Sequence, residues 1–363
     1  LAEGVTIQVG ASLQPGATAS GPRRPRIEIE EPRFDNVFPV FYQYYNDAPV
    51  GTVAITNGER RPIEDVTVSF LVNEYMDAAK RSAVIESMEP GETVEVPILA
   101  LFRSEVLEIT ERTSVASQIL VEYRVGDDVL NAERTETLRI LNRNNMTWDD
   151  DRKAAAFVTA NDPTVLRFAR NITASVRSEG QVAVNERLRT GMAIFQALNL
   201  YGMEYVIDPD SSYIELSESS SALDYLQFPQ QTLDFRTGDC DDLSILYASL
   251  LESVGIRTAF ITIPGHIYMA FALDMDEEEA RRTFRRPEDL IFRDDEAWLP
   301  VEITLVRDDF LAAWDTGAKQ WRENEGAGTA DFIPVRDAWT TFSPTAFGSE
   351  AIAIDVPQTP EVI

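Results

Sequence analysis

From residue 26 to residue 142, apolar and polar positions alternate in short runs separated by turn signals. Arg26-Ile-Glu-Ile-Glu-Glu alternates, Pro62 opens a run in which Val66, Val68, Phe70 and Val72 point one way, and the segments 117–125 and 133–141 repeat the pattern. Asn57-Gly58, Glu89-Pro90-Gly91-Glu92 and Gly126-Asp127-Asp128 punctuate them. The aromatic-rich stretch Val37–Asp47 reads as part of the same β region. Seven or eight short strands with such punctuation predict a β-sandwich of immunoglobulin-like type. No cluster of ionisable residues there has the look of an active site, so a structural or docking module is expected.

Past a polar junction at 143–152 the period lengthens to that of helices. Pro163 stands near the start of one, and Asn185 precedes another that ends at Gly202. Asp208-x-Asp210-x-Ser212 opens like a calcium loop. Tyr213 and Ser219 occupy the positions where an EF-hand needs Gly and Glu, which excludes that motif. After Gly238, Leu243, Leu246, Tyr247, Leu250, Leu251 and Val254 recur at helical spacing up to Gly255. Thr258–Ile263 and Ile267–Leu273 then read as strands around Pro264-Gly265. The charged run from Asp274 to Arg286 predicts a hairpin or short helix, Asp309–Trp321 a surface helix, and Trp339 and Phe342 are expected to pack back on the core. The layout is a flexible tail or linker over 1–25, a β-sandwich over 26–142, the junction, an α+β domain over 153–345 and a tail over 346–363.

Composition narrows the function. The 363 residues, 44% of them hydrophobic, suffice for two cores. With 61 acidic against 32 basic residues the net charge is −29, which argues against nucleic acid and against anionic lipid surfaces. Lys80, Lys153 and Lys319 are the only lysines; the remaining basic residues are Arg, a bias that fits a GC-rich genome or adaptation to salt. One cysteine forbids an internal disulfide, and one histidine forbids zinc sites built on histidine pairs. The longest apolar stretch, Ala259–Leu273, is too short and too interrupted to span a membrane.

The solitary Cys240 falls in the first turn of a buried amphipathic helix, with Asp239 as N-cap and Asp242 as its capping-box partner. Unpaired N–H groups and the helix dipole there favour thiolate. The flanking aspartates oppose it unless they turn away or a cation offsets them. His266 lies 26 residues downstream at a strand start, and Glu302 follows the apolar Trp298–Val301 stretch, where a carboxylate can orient an imidazole. The residues alone leave two readings open, a nucleophile with its base or a small buried cysteine and an unrelated histidine.

Pro229-x-x-Thr232-Leu233, Gly238-Asp239-Cys240-Asp241-Asp242, the helix ending Val254-Gly255-Ile256, His266 before an apolar strand, and Trp298-x-Pro300-x-Glu302 together resemble the transglutaminase-like superfamily, which has a papain-like core. The resemblance covers about 80 residues and implies Cys240 as nucleophile, His266 as general base and acid, and Glu302 as orienting acid. The family more often carries Asp at that last position. Gln230 or Gln231 would supply an oxyanion donor. The run around Cys240 looks like that of bacterial transglutaminase-like cysteine proteinases, where Asp239 and Asp241 would hold calcium; no cofactor is required otherwise. The expected activity is hydrolysis of a peptide or amide bond in a protein or peptide substrate through a Cys240 thioester. The alternatives are a binding or scaffold module with an idle site, and a calcium-dependent structural or adhesion protein. Neither nucleic acid binding nor membrane insertion is expected. The β-sandwich would dock another protein, and the setting would be periplasmic or extracellular in a bacterium.

Overall fold

The structure, a computed structural model, describes residues 24–178, 185–207, 222–345 and residue 357. The sequence-predicted tails and the stretch from Asp208 to Ser219 lie almost wholly outside these residues. The fold is α+β.

The N-terminal half consists of strands β1 (Ile27–Ile29), β2 (Arg33–Phe34), β3 (Gly51–Asn57), β4 (Ile63–Leu71), β5 (Lys80–Met88), β6 (Thr93–Pro97), β7 (Thr113–Val125) and β8 (Asp128–Ile140). They form two antiparallel sheets. In one, β3 is flanked by β6 on one side and by β1 and β2 on the other; the second runs β5-β4-β7-β8. The alternation that predicts the strands also fills the core: Val66, Val68, Phe70 and Val72 are all buried. Phe34 of β2 and Phe70 of β4 meet across the sheets, ring centroids 5.8 Å apart.

The stretch Val37–Asp47 departs from the β expectation. It makes two 3-10 turns, Pro39–Phe41 and Tyr44–Asn46. Pro39 fixes its backbone and offers no N–H to a ladder. The aromatic residues serve packing instead, with Phe41 and Tyr44 5.5 and 5.0 Å from Phe342.

The C-terminal half follows as β9 (Asn145–Met146), α1 (Pro163–Ser178), α2 (Glu186–Tyr201), β10 (Glu204–Tyr205), β11 (Asp224–Tyr225), α3 (Pro229–Phe235), β12 (Thr237–Gly238), α4 (Cys240–Ser253), β13 (Thr258–Ile263), β14 (His266–Ala272), α5 (Glu277–Thr283), β15 (Ile291–Arg293), β16 (Glu296–Val301), α6 (Phe310–Ala327), β17 (Asp331–Pro334) and α7 (Val335–Ala338). An antiparallel sheet in the order β15-β16-β14-β13-β17 organises it. The strand period of two sorts its side chains. Phe260, Ile267, Met269, Phe271, Leu299 and Val301 join the core that contains α4. Ala259, Ile261, Tyr268, Ala270 and Trp298 form a second cluster with Trp321 of α6. Helix α4 is buried on every side through Glu252, held between this sheet and α1 and α2. The Tyr247 hydroxyl donates to the Gly191 carbonyl of α2 at 2.8 Å.

The charged excursion resolves as α5, capped by Asp276, with Arg281–Glu277 and Arg282–Glu278 pairs one turn apart. The junction is a packed element. Strand β9 pairs with β11, the Asn144 amide donates to the Leu226 carbonyl at 2.6 Å, and the Trp148 indole donates to Asp224 at 2.7 Å. The Trp339 indole donates to the Ala155 carbonyl, and the Thr345 hydroxyl to the Val40 carbonyl, so the segment from Trp339 to Thr345 touches both halves. No helix among the described residues is long and apolar enough to cross a membrane.

Candidate active site

The hairpin turn at Pro264-Gly265 starts β14 at His266, at the end of the sheet where α4 begins. Neighbouring β16 ends at Val301, and Glu302 caps the 3-10 turn Ile303–Leu305. Antiparallel pairing of β14 with β16 therefore brings Glu302 beside His266: Glu302 Oε2 lies 2.6 Å from His266 Nε2. Glu302 is only 2% exposed. Its other oxygen accepts from the Thr304 N–H at 3.2 Å and from the Thr304 hydroxyl at 2.6 Å. Burial alone would raise this carboxyl; the His266 contact and the Thr304 donors outweigh it and hold it below the ordinary carboxylate range. An ionised Glu302 makes Nε2 the protonated nitrogen and leaves Nδ1 as the basic one. The His266 ring stacks on Tyr268, centroids 5.8 Å apart.

Cys240 is the first residue of α4 and is buried. The backbone N–H groups of Asp241 and of Ile267, the residue after His266, face its sulfur and favour thiolate. Burial, then the Asp239 charge, then the Glu302 charge act the other way and push the thiol up overall. The strand that carries His266 thus lies against the sulfur, while the described hydrogen bonds include none between thiol and imidazole.

The aspartates that flank Cys240 are held inward. Asp239 caps α4 as expected, accepting from the Asp242 N–H at 3.4 Å. The Asp242 carboxylate faces the Asp239 N–H in return and also accepts from the Gln227 N–H at 2.6 Å. Asp241 Oδ1 accepts from the Asp242 N–H at 2.6 Å, and its Oδ2 is buried with no hydrogen-bond partner. Carboxylate oxygens of Asp239, Asp241 and Asp242 all lie within 4.8 Å of one another. Burial first, and the Asp239 charge second, raise both Asp241 and Asp242 well above the ordinary carboxyl range. Asp224 adds to this field from β11.

Of the two glutamines, Gln231 spends its carboxamide oxygen on the start of α3, accepting from the Phe228 N–H at 2.9 Å and from Asn144 at 2.7 Å. Gln230 is buried in the same turn. Tyr205 is the residue that sequence reasoning missed. Parallel pairing of β10 with β12 sets it opposite Gly238, two positions before Cys240. Burial, then the charges of Cys240, Asp239 and Glu302, push its phenol up to about 12. Met203–Ile207 alternates faintly in sequence, but nothing local ties Tyr205 to Cys240. Gly238 is required by close approach, since a Cβ there would sit 2.6 Å from the Asp242 side chain.

No family model matches this chain, and no curated protein matches it.

Proposed function

We propose that the chain is a transglutaminase-like cysteine-nucleophile enzyme, preceded by an immunoglobulin-like sandwich, that hydrolyses a peptide or amide bond. The observation that carries this reading is the 2.6 Å contact between Glu302 and His266 Nε2, on a strand whose next N–H faces the Cys240 sulfur. His266 Nδ1 takes the thiol proton as the sulfur attacks the substrate carbonyl carbon. The oxyanion is met by the Cys240 N–H, one of the free donors of the first helical turn, and by the Tyr205 hydroxyl. The C–N bond then breaks, and the amine leaves with the proton carried by His266. Water, deprotonated by the same nitrogen, attacks the thioester carbon; the C–S bond breaks, the acid departs and the thiol regains its proton. Water is the default acceptor, which favours hydrolysis over transamidation.

The test is hydrolysis of a mixed peptide library followed by mass spectrometry. Cys240→Ala and His266→Ala should each abolish cleavage. Cleavage by Cys240→Ala at the parent rate would leave the idle-site alternative standing.

A second reading concerns a cation. The unpartnered buried Oδ2 of Asp241, beside Asp239 and Asp242, supports a site for calcium, whose hard charge suits carboxylate oxygen. Bound there, the ion would supply positive charge that offsets the carboxylates opposing the Cys240 thiolate. A calcium-induced rise in melting temperature that Cys240→Ala leaves intact would favour the purely structural alternative if cleavage is also absent.

A further inference from the structure

Among the described residues, strand β10 has a used edge and a free one. The Glu204 N–H donates to the Arg236 carbonyl and the Val206 N–H to the Gly238 carbonyl, both at 2.9 Å. In a parallel ladder alternate residues face the same neighbour. The N–H and C=O groups of Tyr205 therefore point away from β12, as do those of Ile207 where the chain runs past β10 in the same alternation, and neither N–H has a backbone partner among the described residues. Tyr205, Val206 and Ile207 are 39%, 50% and 55% exposed. A free edge of this kind is a template for another strand.

What it would template follows from its position. Tyr205 stands in register with Gly238, and its phenol lies within the electrostatic reach of Cys240 and Glu302. A strand laid along this edge passes the proposed nucleophile. The pleat sets Ile207 on the same face as Tyr205, so the second residue along presents an apolar side chain to whatever lies there. The carboxylates of Glu204, Asp239 and Glu302, on a chain of net charge −29, repel an acidic occupant.

We propose that the free edge of β10 at Tyr205, with its continuation to Ile207, pairs as a β-strand with an extended, apolar, neutral or basic peptide segment of the substrate. This rests on the acyl-transfer reading above and deepens it. Main-chain pairing selects an unfolded segment over a small amide, and Ile207 selects an apolar residue near the scissile bond.

The experiment uses the full chain and the best-cleaved member of the random peptide library. Ile207→Pro deletes the outward N–H while leaving the Val206 bond in place, and edge positions tolerate Pro. It should lower kcat/KM roughly fivefold, mainly through KM. Ile207→Thr, which keeps the N–H, should retain KM for peptides lacking an apolar residue there. N-methylation along the peptide guards against misfolding of the variant: cleavage should fall at alternate residues on one side of the scissile bond. Cleavage by the parent protein that resists both Ile207→Pro and N-methylation at every position would overturn edge pairing while leaving acyl transfer intact. If no peptide is cleaved, acyl transfer and edge pairing fall together.

Discussion

Glu302 Oε2 lies 2.6 Å from His266 Nε2, and this contact determines which imidazole nitrogen is left for chemistry. With Nε2 held by the carboxylate, Nδ1 is the nitrogen left to exchange a proton with the Cys240 thiol in the proposed mechanism. Glu302→Gln preserves the shape but lets the amide present a donor to the ring, which favours the wrong tautomer. Peptide hydrolysis should fall by roughly two to four orders of magnitude with little change in KM. Retained turnover in this variant would remove Glu302 from the mechanism.

The same carboxyl has a signature in stability. Glu302 titrates below its ordinary range in the folded protein, the His266 and Thr304 contacts outweighing the upward effect of burial. A depressed folded value stabilises the fold above the unfolded pKa of about 4.3 and loses that contribution as the pH falls through the folded value. The difference in denaturant midpoint between the parent and Glu302→Gln should therefore be full at neutral pH and shrink below about pH 4. A difference that stays constant down to strongly acidic pH would contradict the assigned direction.

Asp239 opposes ionisation of the proposed nucleophile it adjoins. Burial is the largest influence raising the Cys240 thiol, and the Asp239 charge is next. Asp239→Asn keeps an N-cap acceptor for the Asp242 N–H and removes the charge. The thiol should titrate lower, which raises iodoacetamide labelling at mildly alkaline pH up to roughly tenfold. An unchanged labelling profile in metal-free protein would show that the Asp239 charge does not reach the sulfur.

The sequence carried the centre of the site and little of its periphery. Helix α4 and strands β13 and β14 were legible because their apolar positions recur with a single period, and His266 follows directly from the Pro264-Gly265 turn. Glu302 was legible because an apolar strand delivers it. Tyr205 and Asp224 were not, since β10–β12 and β9–β11 are two-residue pairings between distant segments, with no period to read. The same limit applied to Asp242, whose carboxylate answers to the distant Gln227 N–H as well as to its local cap. At Val37–Asp47 strand propensity misled, because aromatic residues that favour sheets also favour packing around a proline-started turn.

The buried acids predict a linked response to pH and calcium. Burial and the Asp239 charge raise Asp241 well above the ordinary carboxyl range. A carboxyl raised in the folded state costs stability as the pH climbs from its unfolded value through its folded one. Asp241→Asn does not titrate, so without metal it should melt a few degrees higher than the parent at neutral pH. Added calcium should raise the melting temperature of the parent and leave Asp241→Asn unmoved, because the unpartnered Oδ2 is gone. Equal calcium shifts in both proteins would place any bound ion elsewhere.

The position of Glu302 depends in turn on Gly317. Helix α6 crosses the end of β16 so closely that a Cβ at Gly317 would sit 3.1 Å from the Glu302 nitrogen and 3.1 Å from the Val301 nitrogen. The Glu302 N–H also donates to the Ala313 carbonyl at 3.0 Å, which locks the two backbones together. Gly317→Ala gains up to about 1 kcal/mol of helix propensity, but the added methyl must displace main chain, where overpacking costs about 1–3 kcal/mol. The shift falls on the residue that orients His266. Melting should drop by a few degrees, while hydrolysis below the transition should fall roughly tenfold, since a displacement of a few tenths of an ångström acts on a short contact. Gly326→Ala is the matched control. It lies in the same helix with nothing within 4 Å of an added Cβ, so it should stabilise the protein slightly and leave turnover unchanged. Equal turnover in the two variants would mean that the α6 crossing does not set the Glu302 carboxylate.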